Sequence, residues 1–295
     1  MNAPAIAIRN LCKSFPNFAL GPLDLTVPRG AIYGLIGPNG SGKSTTLDLI
    51  FGMGAPDRGT IQAAGYDAAT EAVTLKQRVT YSSPDTSFAV WGKVGRVLRF
   101  VRPFYASWDE TLCERLRGAF RLNPEDKIAT LSFGARTKLS LLLALSAQPE
   151  VLVLDEPTTG LDPETRAILF AELLRFVEDG ERSVLISSHQ LADVERFADH
   201  LGVLSQGRII CEGSLEQLLT QHRLLEYSLS EGTVLPTLPG FYPRQTTSGW
   251  SQAVVDLALH PPATLVARGL QVHSETALPL EEIFLAMTSQ RKEAA

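Results

Sequence analysis

The chain has 295 residues, 44% hydrophobic and 20% charged, with a formal net charge of -5. A chain of this size buries a substantial core and has room for about two domains. Its mild acidity excludes the broad basic face of a non-specific nucleic-acid binder, and no stretch approaches the roughly 18 uninterrupted apolar residues of a membrane span. Cys12, Cys113 and Cys211 are too scattered for a zinc or redox motif and read as reduced packing cysteines. Met1 to Leu11 lacks the charged head and apolar run of a signal peptide.

Leu23, Leu25 and Val27 alternate with polar residues before Pro28 and Gly30, the pattern of a half-buried antiparallel strand. Three continuous apolar runs follow, Ala31 to Ile36, Val151 to Leu154 and Val184 to Ile186. Such runs suit strands covered on both faces. With helical stretches between them they predict an α/β fold with a mostly parallel sheet. Each run ends in polar residues: Gly37, then Asp155 and Glu156, then Ser187, Ser188 and His189. Ligands of open α/β sheets bind beyond the carboxyl ends of the strands, so the three runs point at one site.

From Leu75 to Thr130, apolar residues at helical spacing (Val97, Val101, Leu112, Leu116, Phe120) predict a helical insert. Ser205-Gln206-Gly207 reads as a hairpin turn between Val203 to Leu204 and Arg208 to Cys211. Ser214 and Gln217 form a capping-box signature for a helix through about Leu219. The expected organisation is a main domain over 1–221, with a helical subdomain at about 82–140, and a small α+β accessory domain over 222–295. The accessory part carries an alternating run from Ala253 to Leu259 and an amphipathic helix over Pro279 to Thr288, with Leu280, Ile283 and Met287 on one side.

Gly37-Pro38-Asn39-Gly40-Ser41-Gly42-Lys43-Ser44-Thr45 contains G-x-x-x-x-G-K-S between a predicted strand and a helical run. Glycines let the backbone approach a polyphosphate, successive N–H groups form an anion nest, and the helix directs its positive end at the same charge. Lys43 reaches the β- and γ-phosphates, and Ser44 offers a hydroxyl to Mg²⁺. Downstream, two acids end an apolar strand. Adjacent carboxylates repel there unless a divalent cation relieves them. Asp155 is the expected Mg²⁺ partner and Glu156 the general base for an attacking water.

Leu131-Ser132-Phe133-Gly134-Ala135 resembles the signature motif of ABC ATPases, L-S-G-G-Q. Gly160-Leu161-Asp162 resembles their D-loop, His189 their switch histidine, and Phe15 the aromatic that stacks on adenine. The resemblance spans about Ile6 to Leu219. It implies a P-loop cassette with an antiparallel β-subdomain and a helical subdomain. ATP would lie between the cradle of one unit and the signature of a second, in a dimer of this chain. Ser132, the backbone at Gly134 and His189 would contact the γ-phosphate, and Asp162 would link the two sites. A separately encoded membrane subunit would carry the cargo. The chain would then be cytoplasmic, at the inner face of the membrane, with no nucleic-acid partner.

Phe133 and Ala135 depart from the signature, and the stretch Val79-Thr80-Tyr81-Ser82-Ser83-Pro84-Asp85 lacks the Q-loop glutamine of the family. Asp85 is the candidate replacement for the water and Mg²⁺ contact, with Ser83 or Pro84 possible by alignment. Phe104-Tyr105 with Ser107-Trp108-Asp109, and the chain's end, resemble ATPases of bacterial exporters. Phe88, Val90 and Trp91 are apolar enough for a partner notch. The alternatives are a soluble ABC mechanoprotein, a P-loop kinase or other NTPase, and a cassette that binds ATP with weak turnover.

Overall fold

The computed structural model describes residues 3–230, 238–244 and 250–293. Strands β1 (Ile6–Phe15) and β2 (Phe18–Val27) pair antiparallel, with Ile6 opposite Val27 and Ile8 opposite Leu25. Leu23, Leu25 and Val27 are buried, as their alternation predicts. Strand β3 (Ile32–Ile36) leads into helix α1 (Lys43–Ile50). Strands β4 (Arg58–Ala63) and β5 (Tyr66–Asp67) complete a four-stranded sheet in the order β2-β1-β4-β5.

Helix α2 (Ala72–Arg78) and strand β6 (Val79–Ser82) follow, then α3 (Val94–Val101), α4 (Glu110–Ala119) and α5 (Phe133–Ser146). Strand β7 (Val151–Leu154), helix α6 (Pro163–Val177), strand β8 (Ser183–Ser188), helix α7 (Leu191–Glu195) and strands β9 (His200–Ser205) and β10 (Arg208–Ser214) come next. The six-stranded sheet runs β10-β9-β3-β8-β7-β6. The pairs β9–β3, β3–β8, β8–β7 and β7–β6 are parallel.

The apolar runs are explained by what covers each face. Ile32, Leu152, Leu154, Val184 and Ile186 join a core with Leu139 and Leu142 of α5 and Leu169 and Leu173 of α6. Their neighbours Tyr33, Leu35, Val151, Val153 and Leu185 join another with Leu47 and Ile50 of α1 and with Ile6 and Leu25. Burying each such aliphatic side chain stabilises the fold by about 1.5–3 kcal/mol, so neither face tolerates polar alternation.

The helical insert differs from expectation at its start. Strand β6 interrupts the helical character after Arg78 and takes the edge of the parallel sheet. Its polar residues hid it. Thr80 Oγ1 donates to the Ala144 carbonyl at 3.2 Å, and Ser82 Oγ donates to Ser140 Oγ at 2.8 Å, so both are buried yet satisfied against α5. In the hairpin between β9 and β10, Gln206 and Gly207 both adopt positive φ (48° and 76°), the requirement of a type I′ turn.

The chain divides into two compact units. One is Met1–Gln190 with Phe197–Glu212, the other Leu191–Arg196 with Gly213–Ala295. The division lies before α8 (Leu215–Gln221), whose N-cap Ser214 accepts from the Gln217 N–H at 3.2 Å. The second unit then contains β11 (His222–Leu229), β12 (Phe241–Arg244), β13 (Ser251–Asp256), α9 (Pro262–Ala267), β14 (Leu270–Ala277) and α10 (Leu280–Glu293). Its antiparallel sheet runs β12-β13-β11-β14 around Leu225, Tyr227, Phe241, Ala253, Val255 and Leu265. The expected alternating run ends at Asp256 rather than Leu259. Leu280, Ile283 and Met287 of α10 are buried together. Among the described residues no helix is long and apolar enough to cross a membrane.

Candidate nucleotide site

The cradle hangs between β3 and α1. Gly40 and Gly42 lie at φ 76° and 107°, open to glycine and strained for other residues. Gly37 is closed for a different reason: a Cβ there would stand 2.2 Å from the Leu204 carbonyl oxygen of β9. Gly42 caps α1 in the left-handed conformation, and among the described residues no side chain caps that helix. Its first N–H groups are therefore available to an anion. Ser41 Oγ is buried without a hydrogen-bond partner among the described residues. A phosphate oxygen would satisfy it.

Lys43 is buried and folded back. Its Nζ donates to the Gly37 carbonyl at 2.9 Å and lies 3.5 Å from Glu156 Oε1. Ser44 is exposed and Thr45 half-buried at the first turn of α1. Asp155 sits just beyond β7, 4% exposed, and Ser187 Oγ donates to its Oδ1 at 2.5 Å. Burial pushes the Asp155 carboxyl above the usual range. Hydroxyls of Ser187 and Ser44 oppose that push, and the charges of Glu156 and Asp48 add to it.

Glu156 occupies the left-handed region at φ 44°, a conformation that costs about 1–3 kcal/mol and persists where the surroundings hold it. Three contacts hold it here. Its N–H donates to Ser187 Oγ at 2.9 Å, its Oε1 faces Lys43, and its Oε2 lies 2.7 Å from His189 Nδ1. One serine hydroxyl thus serves both acids, accepting from the backbone of one and donating to the carboxylate of the other. Ser187 was visible only as part of a polar strand end, and its double role was not foreseen.

Asp48 and Tyr81 were also missed. Tyr81 OH donates to Asp48 Oδ1 at 2.9 Å, joining β6 to α1 beside the cradle. Burial, with Asp155 and Asp48 near, pushes the phenol well up and keeps it a donor. Asp85 is exposed, and its N–H donates to Ser83 Oγ at 3.2 Å.

The remaining candidates lie on other elements. Phe15, half-exposed, stacks on Phe18 with centroids 6.2 Å apart. Ser132 is the N-cap of α5, its Oγ accepting from the Ala135 N–H at 3.2 Å. That leaves the hydroxyl proton of Ser132 for another acceptor. Asp162 is the N-cap of α6. It accepts from the Thr165 N–H at 2.9 Å and pairs with Lys138 Nζ at 3.0 Å. The Thr165 N–H, then Lys138 and the Thr165 hydroxyl, hold its carboxyl well below the usual range.

The ABC transporter family model matches residues 20–159, from within β2 to just past the acid pair. The Nod factor export ATP-binding protein I of Burkholderia lata is 37% identical over 228 residues, covering 74% of each chain. The chain belongs to the ABC transporter ATP-binding family. The daunorubicin/doxorubicin resistance ATP-binding protein DrrA of Streptomyces peucetius is 33% identical over 68% of this chain and 62% of its own. The ABC transporter ATP-binding protein YtrB of Bacillus subtilis is 29% identical over 95% of this chain and 97% of its own. A solved ATP-binding subunit of an ABC transporter matches with a TM-score of 0.68 and 28% identity, over 74% of this chain and 92% of that one. As an ABC ATPase the chain binds ATP, and the P-loop cassette is its fold.

Proposed function

We propose that this ABC ATPase is the motor of a separately encoded membrane exporter, and that two copies close around ATP. The carrying observation is Glu156, held between Lys43 and His189 at the end of β7. In this reading the γ-phosphate takes over the Lys43 ammonium, which frees Glu156 Oε1. Glu156 then accepts a proton from the attacking water as its oxygen bonds to the γ-phosphorus. The bond to the β–γ bridging oxygen breaks, giving ADP and phosphate. His189 holds the other carboxylate oxygen and orients the base.

Mg²⁺ fits the donor set. Among the described residues no group of three His, Cys, Asp or Glu side chains could hold a metal ion by itself. A hard ion here would use Ser44 Oγ and Asp155 with phosphate oxygens and water, as Mg²⁺ prefers. Burial raises the Asp155 carboxyl, and a divalent cation beside it would favour its charged form. Bound there, the ion would neutralise charge on the β- and γ-phosphates. Asp85 stands as the candidate for the additional water contact. Phe15 is assigned to adenine, Gly37 to Thr45 to the phosphates, and Ser132 and the Gly134 backbone to the partner's γ-phosphate.

Residues 1–221 are assigned to the motor and 222–295 to an accessory role. Support for a membrane partner comes from an aromatic ridge on the helical insert. Of the three residues expected there, Phe88 and Trp91 pack partly buried against the helical-insert core and Val90 is exposed. Trp91 also stacks on Phe100 with ring centroids 3.7 Å apart, and Phe100 lies 5.2 Å from the exposed Phe104. Support for export comes from relatives named for Nod factor export and drug resistance. Placement at the cytoplasmic face of a membrane follows from that partner. The deciding experiment is ATP hydrolysis by the purified chain and by Glu156→Gln. A variant that hydrolyses at the parent rate removes Glu156 from the reading.

A further inference from the structure

The first turn of α5 and the loop leading from Glu156 to Asp162 are locked together by residues that face one another. A Cβ on Gly134 would lie 2.4 Å from the Gly160 carbonyl oxygen, so the two backbones touch. A Cβ on Gly160, at φ 77°, would lie 2.6 Å from Phe133 Cδ1, so the Phe133 ring covers that glycine. One helical turn on, Thr137 Oγ1 faces the Thr159 carbonyl at 3.5 Å, and Lys138 Nζ pairs with Asp162 Oδ2 at 3.0 Å. Residues 133, 134, 137 and 138 form one stripe of the helix. Phe133 stands where the family motif has glycine, and it adds a ring to this contact.

We propose that Phe133 is a positioning residue, clamping the signature turn to the loop behind Glu156 so that both are presented to the partner copy as one rigid piece. The inference rests on the dimer reading above. A helix end that donates Ser132 O–H and backbone N–H groups to a partner's phosphate gains affinity when its orientation is fixed beforehand. The ring supplies that fixation on one side of the loop and the Lys138–Asp162 pair on the other. Removing either lets the turn move, and ordering it again costs dimer affinity. ATP binding to the isolated cradle is untouched, because no residue of the clamp belongs to the cradle.

The test uses the full chain in a Glu156→Gln background, with Mg²⁺ and ATP, following dimerisation by sedimentation and monomer ATP affinity by fluorescence at low protein concentration. Phe133→Ala is expected to weaken ATP-driven dimerisation by about fivefold or more, with monomer affinity unchanged, and Phe133→Leu to restore most of it. Lys138→Met is expected to weaken it in the same direction. A Phe133→Ala chain that dimerises like its parent overturns the clamp. So does Lys138→Met that dimerises normally while Phe133→Ala does not, because the ring would then touch the partner directly. If Phe133→Ala unfolds, Lys138→Met decides alone. A Glu156→Gln parent that binds ATP and stays monomeric overturns the dimer reading, and this inference with it.

Discussion

His189 Nδ1 lies 2.7 Å from Glu156 Oε2, across the gap between the ends of β8 and β7. A neutral imidazole that donates through Nδ1 keeps Nε2 as an acceptor, whereas a protonated ring donates at both nitrogens. The ring therefore orders the carboxylate through Nδ1, and a phosphate oxygen on its far side is met only by a ring that carries a proton on Nε2 as well.

Replacing Glu156 by Gln keeps the shape and removes the base. Hydrolysis is expected to fall by at least about 10²-fold, with ATP affinity retained or raised. Steady-state phosphate release together with equilibrium nucleotide binding checks both halves. Loss of binding in parallel with turnover would contradict the assignment.

Asp155 carries a linkage consequence. Its folded pKa is raised, chiefly by desolvation. For an acid shifted upwards, the charged form is the one the fold disfavours. Apo stability therefore falls as pH rises through the unfolded and then the folded pKa, and the penalty is full above both. Asp155→Asn is expected to raise the apo melting temperature by a few degrees and to abolish the extra stabilisation that Mg²⁺ adds to nucleotide. Thermal melts with and without Mg²⁺–ATP test this, and an apo melting point below that of the parent counts against it.

Asp162 behaves in the opposite sense. Its folded pKa is depressed by the Thr165 N–H, Lys138 and the Thr165 hydroxyl. Its contribution to stability is present above the unfolded value and is lost as pH falls through the folded one. Asp162→Asn keeps a capping acceptor and loses the charge. The variant is expected to be less stable than the parent near neutral pH, with the difference shrinking as pH drops below about 4. Urea titrations at several pH values would show a pH-independent difference if the carboxylate charge were irrelevant.

Asp85 is tested by kinetics. As the replacement for the Q-loop glutamine, Asp85→Asn is expected to lower kcat by about tenfold with little change in ATP affinity. An unchanged kcat would transfer the role to Ser83, which is buried nearby, or to another group.

Legibility in the sequence followed chain locality. The cradle is one contiguous segment whose residue types are dictated by phosphate chemistry, and each buried strand is one apolar run, so both were readable. Strand β6 was not, because Thr80 and Ser82 find buried partners on α5 that no period along the chain can announce. Helix α9 has only six residues after Pro261 and lacks the length for a periodic signal. Ser187 owes its role to Asp155, 32 positions away, and Lys138 owes its role to Asp162, 24 positions away. Such pairings exist only once the sheet is assembled.

The hydroxyl of Tyr81 ends on Asp48. Tyr81 lies within β6, upstream of Trp91, and Asp48 belongs to α1, the helix that carries Lys43 and Ser44. The hydrogen bond thereby ties the strand that leads toward the aromatic residues of the helical insert to the helix that follows the glycine-rich cradle. Any coupling this bond carries is reciprocal, so a shift of either element weighs on the other. A Tyr81→Phe variant would remove this tie while leaving the ring stacked on Phe51.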